Sequence, residues 1–178
     1  MTLDVHLYTE RLILHRPRAE DAEEIFRGYA SDPDVTRYVC FPTHKTHDDA
    51  KAFLTKSDAA WNEWPAGPFL IRIKTTNQLI GGTGLSFETS GRAMTGYILA
   101  RDAWGKGYAT ESLHAMVKLA SRLNVKQLYA LCHTDHRASW HVLEKCGFLR
   151  EGILRSYERF PNLGSIELSD VYCYAIIL

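Results

Sequence analysis

The sequence is short of the features that mark specialised protein classes. No two cysteines have CxxC spacing: Cys40, Cys132, Cys146 and Cys173 are scattered along 178 residues. That argues against a disulfide framework and for a reduced compartment. No apolar run approaches the ~20 residues a bilayer-spanning helix needs; the clearest, VYCYAIIL, closes the chain. The opening MTLDVHLYTERL lacks a basic region followed by an apolar stretch, so no signal peptide is expected and the chain is read as cytoplasmic. There is no charge excess either, with 21 Lys and Arg against 21 Asp and Glu. This removes the electrostatic footprint of a nucleic-acid or anionic-membrane binder. Repeats, low-complexity tracts and linker-like breaks are also absent.

What is there reads as one domain over residues 1–178, of α/β (α+β) class. Hydrophobic residues make up 46% and charged residues 24%, ordinary globular values. LYTERLILHRP reads as a strand ended by Pro17, and AEDAEEIFRGYA as a helix with acids in its first turn. Thr46 followed by Asp49 has capping-box spacing and predicts a helix that stops at Pro65, Gly67 and Pro68. FLIRIK, LIGGTGLSFE and AMTGYILA follow as strands. Their short connections, TTNQ and TSGR, favour an antiparallel meander. A helix from about Ala109 carries Leu113, Met116, Val117 and Ala120 on one stripe. VKQLYALC is a strand, HRASWHVLEKCG a helix closed by Gly147, and FLREGILRSYERF and SDVYCYAIIL two more strands. The strand–helix–strand crossover over residues 97–132 makes its two strands parallel.

RDAWGKGYATESL, between a strand and a helix, is the most chemical segment. Backbone N–H groups at such a junction lack partners, and with the helix dipole they attract phosphate. Gly105 and Gly107 allow an anion to approach the backbone, and Gly107 suits a positive φ. A plain tight turn is the competing reading. A nucleotide-hydrolysing P-loop needs Ser or Thr after the lysine, but Gly107 follows Lys106. A dinucleotide fingerprint needs GxGxxG, and GKGYAT supplies only its first half.

The segment resembles the acyl-CoA-binding motif (Q/R)xxGx(G/A) of the GCN5-related N-acetyltransferase (GNAT) superfamily. Trp104 stands at the Gln/Arg position, Gly107 at the glycine and Ala109 at the small residue. The wording WGKGYATE is similar to the RimJ/RimL-like branch, the ribosomal-protein N-terminal acetyltransferases. TERLILHRPRAEDAEEIF, LIGGTGL and HRASWHVLEKCGFLREG resemble other segments of that branch, in the right order and over nearly the whole chain. The resemblance implies a mixed, mostly antiparallel sheet of about seven strands with helices on both faces. It also implies a splayed parallel strand pair holding acetyl-CoA. The reaction implied is acetyl transfer to a primary amine, either a protein N-terminus or a small molecule.

Carried over, the strand that pairs with pantetheine is Tyr97 to Ala100, with Ile98, Leu99 and Ala100 as contacts. The pyrophosphate cradle is Trp104, Gly105, Lys106, Gly107, Tyr108 and Ala109, with Thr110 next to it. His136, Ser139 and Lys145 on the following helix flank the cofactor. A solvated helix lysine remains the competing reading for Lys145. Ser139 is the implied proton donor to the leaving thiol; a helix serine can also bond its own backbone. An α-amine of pKa about 8 is roughly a tenth neutral at pH 7, whereas neutralising a lysine of pKa about 10.4 costs about 4.6 kcal/mol. A base therefore matters more for a lysine acceptor. Glu158 in RSYERF is the candidate base and Glu88 its competitor; each also reads as an exposed strand carboxylate.

CHTDH, residues 132–136, groups a thiol, two imidazoles and a carboxylate without a zinc spacing. Strand alternation would point Cys132 and His133 to opposite faces, and no metal is expected. The expected partner is an amine acceptor, with no nucleic acid and no membrane, for a monomer or homodimer. A non-catalytic acyl-CoA sensor and a longer-chain acyltransferase are the alternatives.

Overall fold

A computed structural model of the chain describes residues 5–178. Residues 1–4, the start of the segment read above as carrying no signal peptide, lie outside the described residues. The segment expected as one N-terminal strand is a hairpin instead. Strands β1 (His6–Tyr8) and β2 (Leu12–His15) pair antiparallel, with Tyr8 opposite Ile13. Thr9 turns the chain: its N–H donates to the Leu12 carbonyl and its Oγ1 accepts from Leu12 N–H, both at 3.0 Å. With this hairpin the described residues form a sheet of eight strands, in keeping with the expected seven or so.

Helix α1 (Ala22–Ile25) runs on into a π-helical stretch, Phe26–Ala30. Helix α2 (His47–Glu63) starts as its spacing predicts: the Asp49 carboxylate accepts Thr46 N–H at 2.9 Å. Strands β3 (Pro68–Ile73), β4 (Leu79–Thr89) and β5 (Arg92–Leu99) form the expected meander. The glycines of β4 reflect crowding by its neighbours. A Cβ on Gly81 would lie 2.0 Å from the Ile98 carbonyl oxygen, and one on Gly84 2.8 Å from Pro68 Cα.

Helix α3 (Tyr108–Arg122), strand β6 (Gln127–His133), helix α4 (Arg137–Lys145) and strands β7 (Leu149–Glu158) and β8 (Ser169–Ile177) complete the chain. The sheet order is β1-β2-β3-β4-β5-β6-β8-β7, with β8 inserted beside β6. Among the described residues only β5 and β6 pair in parallel. One core joins α3 and α4 to the sheet through Leu113, Met116 and Leu143 against Phe69, Ile80 and Leu128. A second packs α1 and α2 on Leu70, Leu79 and Ala100. Among the described residues, no helix is long and apolar enough to cross a membrane.

Candidate functional site

Strands β5 and β6 pair over only three positions, Arg92 with Gln127, Ala93 with Leu128 and Met94 with Tyr129. Beyond these they part, and β5 runs on to Leu99 beside a gap. Pleating decides which peptide groups face that gap. Leu99 lies opposite Gly81, and Ala100 N–H donates to the Ile80 carbonyl at 2.8 Å. In an antiparallel ladder the bonded pairs alternate. Ile98 and Ala100 therefore direct their peptide groups to β4, while Tyr97 and Leu99 direct theirs into the gap. Of the three strand residues singled out in the sequence, Leu99 alone offers its backbone, and Tyr97 joins it.

A short 3₁₀ turn, Arg101–Ala103, follows β5. Trp104 then folds back, and its indole N–H donates to the Leu99 carbonyl at 2.8 Å. Gly105 and Gly107 both have positive φ, 71° and 80°, and Gly107 is the N-cap of α3. No heavy atom lies within 4 Å of a Cβ placed on Gly105. Open space over Gly105, two residues before the α3 N-cap, together with the unpartnered N–H groups that open a helix, suits an anion. Lys106 is exposed, and its carbonyl accepts from Arg11 Nη1 at 2.8 Å.

Arg11 and Thr9 fasten the β1–β2 turn to this cradle through Glu111. The carboxylate accepts from Thr9 Oγ1 at 2.6 Å, and from Arg11 N–H and Arg11 Nε at 2.7 Å each. The Arg11 guanidinium also lies 4.7 Å from the centre of the Tyr108 ring. Burial pushes the Glu111 carboxyl up, but these hydrogen bonds outweigh it and hold it below the ordinary range. The bonds to Glu111 span about a hundred residues of sequence, and nothing local in the sequence announces them.

Helix α4 forms the other wall. His136 is its N-cap, and burial followed by the neighbouring His133 holds the His136 imidazole below its ordinary pKa. Ser139 sits in the first turn, 3.3 Å through Oγ from the Tyr97 hydroxyl, which also donates to the Ser139 carbonyl at 3.1 Å. At the far end, Cys146 Sγ lies 3.6 Å from the Thr110 carbonyl. Lys145, the residue before that cysteine, is exposed. Cys132 faces the core under the helices, while His133 faces away toward Tyr38 and Phe160, as alternation predicts.

The loop of residues 31–44, which carries Pro33 and Pro42, straps across the opposite side of the gap. Arg101, just past β5, holds its beginning through Asp32 at 2.8 Å and through Asp34. Tyr38 stacks on His136 with ring centres 4.7 Å apart, and lies 5.1 Å from the His133 ring. Asn162, between β7 and β8, clasps its end: Nδ2 donates to the Thr36 and Phe41 carbonyls, and Oδ1 accepts from Thr43 N–H at 2.9 Å.

The two candidate bases fall at opposite ends of the sheet. His133 pairs with Val171, and Val171 with Leu154, so Glu158 lies beyond the end of β6 where the gap opens. Its carboxylate accepts Arg159 N–H at 2.9 Å and faces the Cys40 thiol of the strap. Burial of the sulfur and then that carboxylate push the thiol up to about 11. Glu88 lies where β5 and β6 begin and still pair, and it bonds Arg92 and the Tyr129 hydroxyl. Among the described residues no group of three or more His, Cys, Asp or Glu is arranged to hold a metal ion.

Residues 11–149 match the family described as acetyltransferase (GNAT) domain. The chain is 32% identical over 174 residues to a Bacillus licheniformis protein named uncharacterized N-acetyltransferase p20, covering 96% of this chain and 95% of that one. Among solved structures, an acetyltransferase (GNAT family) from Bacillus anthracis has a TM-score of 0.84 at 26% identity, over 97% of this chain and 98% of that chain. RimL, a ribosomal L7/L12 alpha-N-protein acetyltransferase in complex with coenzyme A, has a TM-score of 0.86 at 18% identity, over 98% of each chain. That last likeness is one of fold.

Proposed function

Because the chain belongs to the GNAT acetyltransferase family, we propose that it moves an acetyl group from acetyl-CoA to a primary amine. The acceptor is a protein N-terminal α-amine of the ribosomal-protein type, or a small-molecule amine, and the chain works as a single domain in the cytoplasm. One observation carries the reading. The parallel pair β5–β6 parts after three positions, and the Gly105–Gly107 cradle stands at the end where it opens. The coenzyme A bound to RimL, the structural neighbour, supports the choice of donor.

The residues present fit coenzyme A. Two positive-φ glycines and the open space over Gly105 suit a pyrophosphate. The Tyr97 and Leu99 peptide groups suit an amide-bearing arm. Acetyl-CoA supplies an acyl carbon activated as a thioester, with a leaving thiol of acidity near that of cysteine, about 8.5. The amides of Gly105 to Ala109 hold the phosphates, with Lys145 nearby, and His136 flanks the arm. Leu99 N–H stabilises the charge that develops on the acyl oxygen. Glu158, directly or through water, takes a proton from the attacking amine as the C–N bond forms. Ser139 donates its hydroxyl proton to sulfur as the C–S bond breaks.

Thiol release from acetyl-CoA, measured against a panel of N-terminal peptides and small amines, tests this. Release with at least one acceptor is expected. Tight coenzyme A binding without release for any acceptor would favour the sensor reading, and no binding at all would sink both.

A further inference from the structure

We propose that Tyr97 is a positioning residue for this reaction, its phenol aiming the Ser139 hydroxyl at the sulfur of the acyl donor. The inference rests on the acyl-CoA reading above. Tyr97 lies on β5 beyond the last position paired with β6. Its side chain reaches the first turn of α4. There its Oη is 3.1 Å from the Ser139 carbonyl oxygen and 3.3 Å from Ser139 Oγ.

The direction of these bonds matters. A carbonyl oxygen only accepts, so the phenol is the donor. A helix serine commonly gives its hydroxyl proton to the carbonyl one turn earlier. Here the partner of Ser139 Oγ among the described residues is Tyr97, whose one hydroxyl proton is shared in a three-centre bond between Oγ and the nearer Ser139 carbonyl. The serine proton is then not spent on this contact and is available to another acceptor. A hydroxyl that accepts one hydrogen bond is also a better donor of the next. Packing alone does not call for the phenol oxygen: the Tyr97 ring lies against the core beneath α3 and α4, where phenylalanine would serve. Burial also pushes the Tyr97 phenol well above its ordinary range, which favours the protonated form that donates.

The test reads the sulfur without an acceptor. Calorimetric titration of the full chain with coenzyme A and with desulfo-coenzyme A is made at pH 9, where a thiol of pKa about 8.5 is mostly ionised. The wild-type chain is expected to prefer coenzyme A. Tyr97→Phe is expected to cut that preference about tenfold, leaving desulfo-coenzyme A affinity and the thermal midpoint unchanged. Ser139→Ala should cut it at least as far, and the double variant no further, because the two act as a unit. A Tyr97→Phe chain that keeps the full preference overturns the proposal. So does one that loses both ligands equally, since Tyr97 is then a packing group. Wild-type binding that is tight but blind to sulfur overturns this inference alone; wild-type binding of neither ligand overturns the acyl-CoA reading with it.

Discussion

The indole N–H of Trp104 donates to the carbonyl of Leu99 at 2.8 Å. That carbonyl faces the gap between β5 and β6, so the tryptophan closes a loop onto the edge of the site. The residue at the polar position of the motif does polar work through its ring nitrogen. Coenzyme A is therefore expected to change the tryptophan fluorescence of the wild-type chain. Trp104→Phe should lose most of that change and bind coenzyme A about tenfold more weakly, the value of one hydrogen bond that holds the loop. An undiminished change would place the ligand elsewhere.

Gly107→Val should abolish coenzyme A binding while the circular dichroism spectrum stays native. Its φ of 80° is hostile to a β-branched residue. A Cβ there would also press on Arg11 Nη2 at 3.3 Å, the far end of a flexible side chain. The strain should fall on the cradle and leave the core alone. Calorimetry with unchanged affinity would count against the cradle.

Glu158→Gln should slow turnover most at low pH, where little of the amine is neutral and the base matters most. Glu88→Gln should leave the pH–rate profile unaltered, because Glu88 is held by Arg92 and Tyr129 where β5 and β6 still pair. The reverse pattern would exchange their roles.

Glu111 makes stability depend on pH. Its folded pKa is depressed, so its contribution is complete above the unfolded value of about 4.3 and is lost as pH falls through the folded one. Urea unfolding should show the wild-type chain weakening in that acid range. Glu111→Gln should be less stable by about 1.5–3 kcal/mol at pH 7, the range for hydrogen bonds to a charged group. Its stability should also fall less steeply on acidification. A parallel pair of curves would mean the carboxylate is not the titrating group.

Gly81→Ala should destabilise the chain by about 3 kcal/mol or more, since the new Cβ would lie 2.0 Å from the Ile98 carbonyl oxygen. Gly96→Ala, where a Cβ meets nothing within 4 Å, is the control. Urea midpoints that move equally would remove close approach as the reason for the β4 glycines.

Much of the fold was legible because its signals are local. The Thr46–Asp49 capping box, the β3–β5 meander, the stripe of α3 and the glycine C-cap of α4 each depend on residues a few positions apart. The cradle was legible for the same reason: Gly105 and Gly107 carry their φ preference in their own chemistry. The β1–β2 turn was read as continuous strand because part of what holds it is Glu111, 102 residues from Thr9.

The sequence by itself determined the family, the start of α2, the end of α4 and the positive φ of Gly107, all written in short-range spacing. The tertiary structure alone decided which peptide groups look into the gap, because pleat parity depends on the register of β5 against β4: it turned Leu99 and Tyr97 inward and Ile98 away. It also separated Glu158 from Glu88, the candidate base and its competitor in the sequence, by placing them at opposite ends of one sheet. Tyr97 met Ser139 across 42 positions, and Asn162 met the strap across 126. Such contacts depend on strand order and register, which are properties of the assembled sheet and of no single segment.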